Sequence, residues 1–103
     1  MGKHDRDTKV FTREMLRNLQ AGMVVLTSLR LLYLKSDIFS PDFLDLIRRI
    51  RSSFESGAFL YEAMMNQKFF PESYVDLVRQ CETSDYNYLE LFQKLAATYD
   101  KQS

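Results

Sequence analysis

Only three glycines and two prolines punctuate the 103 residues of this chain. A sheet of many short strands needs frequent turn residues, so long unbroken segments between so few breakers argue for helices. Apolar residues recur at helical spacing within each segment, and none sustains the period-two alternation of a strand. Phe11, Met15 and Leu19 stand at i, i+4 and i+8, in a first helix expected from about Thr8 to Ala21. Gly22 weakens that helix, and a second is expected over about Val24 to Lys35. This second segment is apolar on most sides, which predicts a place at the centre of a bundle.

The third helix has the clearest start. Ser40 suits a cap, Pro41 the first helical position, and Phe39 with Leu44 the spacing of a hydrophobic staple. Phe43, Ile47, Ile50 and Phe54 follow at i, i+4, i+7 and i+11, and Gly57 suits a left-handed cap. A short fourth helix over about Ala58 to Asn66 turns Leu60 and Met64 to one side. Pro71 opens a fifth, with Tyr74, Val78 and Cys81 inward, and Thr83, Ser84 and Asp85 supply a turn and the next cap. Tyr88, Phe92, Leu95 and Tyr99 then repeat the third helix's spacing. The expected fold is all-α: a compact bundle of about six short antiparallel helices packed as three hairpins, with Ile47, Ile50, Phe54, Phe92 and Leu95 in its core. Residues 1–7 have no apolar residue after Met1 and read as a flexible lead to a single domain over 8–103.

Net charge is zero but unevenly spread. Residues 1–51 hold ten Lys and Arg against six Asp and Glu, a balance of +4; residues 52–103 hold four against eight, a balance of −4. The halves either attract each other within the monomer or offer partners two surfaces of opposite sign. A sequence pI near 6.6 gives no nucleic-acid footprint. The longest apolar stretch, Met23 to Leu34, is broken by Thr27, Ser28 and Arg30, well short of the roughly 20 residues of a membrane helix. The charged N-terminus lacks the apolar segment of a secretory leader, and one cysteine fits a reducing compartment. Taken alone, the chain reads as soluble and cytoplasmic.

Catalytic chemistry has little to work with. The one histidine, His4, sits in the lead, and Cys81 lies on an apolar stripe with no base nearby, as a small hydrophobe would. No phosphate loop or nucleophile elbow occurs. Asp37, Asp42 and Asp45 lack the alternation, glycine and terminal Glu of a calcium loop; Asp42 and Asp45 instead suit the dipole of the third helix. Arg48, Arg49 and Arg51 form the densest basic group and the candidate partner-binding site. Arg48 and Arg49 can also pair with Asp45 at i+3 and i+4, as an ordinary solvated face. The residues by themselves lead to a soluble helical interaction domain.

Three segments carry a resemblance further. Phe11-Thr12-Arg13-Glu14-Met15 with Leu19-Gln20-Ala21-Gly22, then Gly57-Ala58-Phe59-Leu60-Tyr61-Glu62-Ala63-Met64, then Phe70-Pro71 with Val75, Val78, Glu82 and Ser84, follow one another in order. Together they resemble the first cytoplasmic domain of the platform family formed by the F protein of type II secretion and the C protein of type IV pilus assembly. Val24 stands where that family has Pro, Cys81 where it prefers Gly, and Asp85 where a Gly follows Ser84. The short lead leans towards a pilus system, of the toxin-coregulated type.

The resemblance implies a non-catalytic scaffold excised from a larger inner-membrane protein, exposed on the cytoplasmic face. Its implied partners are the cytoplasmic assembly ATPase, other inner-membrane platform proteins and a second copy of itself as a homodimer; membrane contact would come only through segments outside this chain. Nucleic acid is not among them. No cofactor is implied, although some secretion members hold a divalent cation at a domain contact through acidic side chains. Glu62 and Glu82 match motif acids and are the weak metal candidates here; one or two carboxylates hold calcium poorly unless a second copy completes the shell. The competing expectation is an unrelated soluble helical adaptor that binds a partner helix in a groove.

Overall fold

The computed structural model describes residues 3–84 and 86–102, without the side chains of residues 3–5, 36, 101 and 102. Six α-helices follow in order: α1 (Lys3–Gln20), α2 (Val25–Leu34), α3 (Pro41–Glu55), α4 (Leu60–Met64), α5 (Glu72–Glu82) and α6 (Tyr88–Gln102). A 3-10 turn, Ser36–Ile38, leads into α3. The described residues contain no strand, so the all-α expectation holds. Each helix packs on the next and α6 closes on α1, making a ring about 32 × 29 × 29 Å. Hairpins are not separate units here: α2 packs on α3 and α4 on α5 as well.

The centre is α1, not α2. The Phe11 ring meets Phe43 of α3 at 5.6 Å, Phe70 before α5 at 6.0 Å and Phe92 of α6 at 6.4 Å, each edge-on as aromatic quadrupoles prefer. Phe43 extends the cluster to Phe39, stacked at 5.2 Å, and to Phe69 at 5.0 Å. α2 buries Val25, Leu29 and Leu32, but leaves Tyr33 and Leu34, and Val24 just before it, to solvent, with Leu34 77% exposed. A ten-residue helix on the outside of a ring has neighbours on one face only, so an all-round apolar sequence cannot all be covered.

α1 also begins earlier than expected. Residues 3–7, read as a flexible lead, are helical, and Asp7 is buried. Its carboxylate accepts the Ser40 hydroxyl at 2.6 Å and the Ser40 amide at 3.4 Å. Ser40 in turn accepts the Phe43 amide as the cap of α3, so one acid ties two helix starts together. The buried hydroxyls are satisfied in the same way: Thr8 donates to the Phe69 carbonyl at 2.6 Å, Thr12 to the Thr8 carbonyl at 2.7 Å, and Asn18 to Ser28 at 3.0 Å.

Two helix ends are Schellman turns. Gly57 (φ 98°) follows α3, with its amide on the Phe54 carbonyl and the Ala58 amide on that of Ser53. Gly22 (φ 96°) ends α1 likewise, with bonds from Gly22 to Leu19 and from Met23 to Asn18. A Cβ added at Gly57 would meet nothing within 4 Å, so space is not the constraint. Gly57→Ala is expected to cost about 1–2 kcal/mol in denaturant unfolding, all of it from the left-handed backbone. A loss near zero would remove the conformational argument.

At the α5–α6 junction the expected caps act on the other helix. Thr83 and Ser84 donate back to the Arg79 and Gln80 carbonyls, closing α5. Asn87 caps α6 by accepting the Glu90 amide at 3.1 Å. Asp85, read as part of the turn, lies outside the described residues, as does the His4 side chain.

Candidate functional site

The two motif acids, Glu62 and Glu82, converge on one place: the start of α4. This helix has five residues, too few to hold itself, and its first amides need acceptors. Glu62 is exposed and reaches back to accept the Phe59 amide at 2.7 Å. Glu82, the last residue of α5, is wholly buried. Its carboxylate accepts the Leu60 amide at 2.8 Å, the Tyr61 amide at 2.9 Å and the Tyr88 hydroxyl at 2.7 Å. Three consecutive amides are thus taken by two carboxylates, a helix N-terminus being where negative charge is most favourable. Burial, and then the bond to Glu82, push the Tyr88 phenol well above its ordinary range, so it stays a donor.

This arrangement suits capping better than coordination. A cation and N–H donors compete for the same lone pairs, and each Glu82 oxygen already serves a donor. Among the described residues, no three His, Cys, Asp or Glu side chains gather where they could hold an ion. The sequence singled out both acids through a motif resemblance; their joint structural task follows only when α5 packs on α4.

The candidate basic group divides in two. Arg48 and Arg49 both pair with Asp45, at 2.7 and 3.3 Å, as their helical spacing predicts. The Arg48 bond holds the Asp45 carboxyl below its ordinary range. Both guanidinium groups remain half exposed on the outer face of α3. Arg51 turns away and shares Glu55 with Arg30 of α2, at 3.8 and 2.8 Å. The three arginines therefore do not form one patch. Arg30–Glu55 and Arg51–Glu55, with Arg13–Asp100 at 3.0 Å, join the basic half of the sequence to the acidic half.

An apolar groove of about 420 Å³ opens where the α1–α2 junction meets α3 and α6. Leu19, Val24, Leu26, Phe54, Tyr88 and Leu89 line it. Its presence explains why Phe54, expected in the core, is only half buried: the ring sits in the groove wall, edge-on to Tyr88 at 6.2 Å. Cys81, expected inward, is likewise half buried and packs against the core beside the Asn87 carbonyl at 3.5 Å.

Comparison with known proteins agrees with the three motifs. The family described as type II secretion system protein F matches residues 11–103. A type IV pilus assembly protein, PilC of Thermus thermophilus, is 32% identical over 79 residues, which cover 77% of this chain and 19% of that relative. The chain thus spans about a fifth of the relative's length. With nearly its whole length matched, and with motif residues such as Phe11, Gly57, Phe70 and Glu82 in structural roles, the chain belongs to the type II secretion system protein F family.

Proposed function

We propose that this chain is a non-catalytic scaffold domain of the inner-membrane assembly platform that serves type IV pilus biogenesis or type II secretion, and that it works on the cytoplasmic side by contact with the assembly ATPase and other platform proteins. The observation that supports it is the family match over residues 11–103. The chemistry of the site agrees: its most unusual group, the buried Glu82, is consumed in holding helices together. Among the described residues, no helix is long and apolar enough to cross a membrane, so this part would act through surface contact. Membership of the family displaces the competing expectation of an unrelated adaptor.

Arg48 and Arg49 are the proposed contact for an acidic partner surface. Each is half exposed and shares a single carboxylate, leaving positive charge unbalanced. Reversing both to Glu is expected to leave the thermal melt nearly unchanged, because exposed pairs contribute little to stability. Association with the cognate ATPase or a platform protein should slow, and its salt dependence should vanish. Unchanged capture at low and high salt would remove this surface. Failure of the unaltered chain to capture any platform component would remove the scaffold reading itself.

A further inference from the structure

Residues 1–51, with their balance of +4, form α1, α2 and most of α3, and residues 52–103, with −4, supply α4 to α6. Five of the ten cations of residues 1–51, Lys3, Arg6, Lys9, Arg13 and Arg17, stand on α1.

On α1, Arg6, Lys9, Arg13 and Arg17 stand at i, i+3, i+7 and i+11 along one face about 16 Å long, the three arginines exposed and Lys9 half-buried. The Arg6, Arg13 and Arg17 side chains are 65%, 50% and 76% exposed. Each has a carboxylate nearby, but two of these acids are turned inward. Asp7, 3.3 Å from Arg6, is 6% exposed and held by Ser40; Glu14, 4.0 Å from Arg17, is 18% exposed and held by Lys35 at 2.9 Å. Only Asp100, on Arg13, reaches solvent freely. Among the described side chains of this face, an approaching surface meets three exposed arginines, a half-buried lysine and one freely exposed carboxylate.

We propose that the outward face of α1 binds the anionic headgroups of a lipid bilayer, laying this helix along the membrane surface. A straight row of cations on a rigid helix fits a flat field of negative charge better than it fits a pocket. Basic residues near an anionic leaflet act additively. The shared chemistry would also attract an acidic protein. The spread of the row along one helix face favours lipid over a compact acidic site.

The test is flotation of the full 103-residue chain with phosphatidylcholine vesicles, with and without phosphatidylglycerol. The chain should float only with anionic vesicles, and should be released at roughly 1 M salt, where screening extends about 3 Å. Changing Arg6, Arg13 and Arg17 together to Gln should lower partitioning about 30-fold or more. Changing Lys68, Arg79 and Lys94 to Gln, an equal loss of charge away from α1, should leave it within about twofold. Retained helical circular dichroism establishes that each variant is folded. Equal losses in both variants, no difference between vesicle types, or binding to polyglutamate but not to phosphatidylglycerol would each overturn the proposal. The assay contains no second protein, so a negative result leaves the scaffold reading untouched.

Discussion

Glu82→Ala is expected to cost about 3–5 kcal/mol in equilibrium unfolding, a large share of the 5–15 kcal/mol typical of a domain. The substitution removes an acceptor from three donors at once: the buried Leu60 amide and the half-buried Tyr61 amide and Tyr88 hydroxyl. Each lost bond to a charged acceptor weighs about 1.5–3 kcal/mol, and rotation of Tyr88 or entry of water recovers part of the sum. Glu82→Gln keeps the shape but aims an amide NH2 at an N–H donor, so about 2–3 kcal/mol is expected. Glu62→Ala removes only the exposed bond to Phe59 and should cost about 0.5–1 kcal/mol. A Glu82→Ala loss no larger than that of Glu62→Ala would show that the α4 start is not held as described. Because the same lone pairs would have to serve a cation, calorimetry of the monomer with calcium should show no micromolar binding.

The second large effect lies in the core. Ile47→Ala and Leu95→Ala are each expected to lower stability by about 2–5 kcal/mol, since both side chains are essentially fully buried and packed between helices. Phe54→Ala, on the same stripe as Ile47, should cost about 1–2 kcal/mol, because the ring faces the groove and already meets solvent. The contrast is the informative result: periodicity ranks these positions alike, and the ring of helices separates them. Equal losses at all three would mean that the groove is closed in solution.

Much of the fold was legible because helices are encoded locally. The Ser40-Pro41 start of α3 and the Gly57 stop are recognisable from residue types alone, and both appear with their expected bonds and backbone. Ile47, Ile50, Phe92 and Leu95 were recognisable as core because period 3.6 places them on one face. Asn87 was missed as the cap of α6 because Thr83 and Ser84 are equally good cap residues, and only the path of the chain shows them closing α5. Residues 3–7 were missed as helix because their stabilising contact, Asp7 with Ser40, spans 33 positions.

The candidate site divides along the same line. That Arg48 and Arg49 pair with Asp45 is a property of spacing on one helix, and the sequence by itself determined it. That Glu82 is buried and joins three helices was decided by tertiary structure alone. A glutamate at the end of an amphipathic helix ordinarily faces water; here the docking of α4 and α6 removes that water and supplies three donors in its place. Tertiary structure also decided that α2 lies on the rim and that Phe54 borders a groove. Sequence periodicity specifies which face of a helix is apolar. How many neighbours that face meets depends on the order in which the helices close their ring, which no single helix encodes.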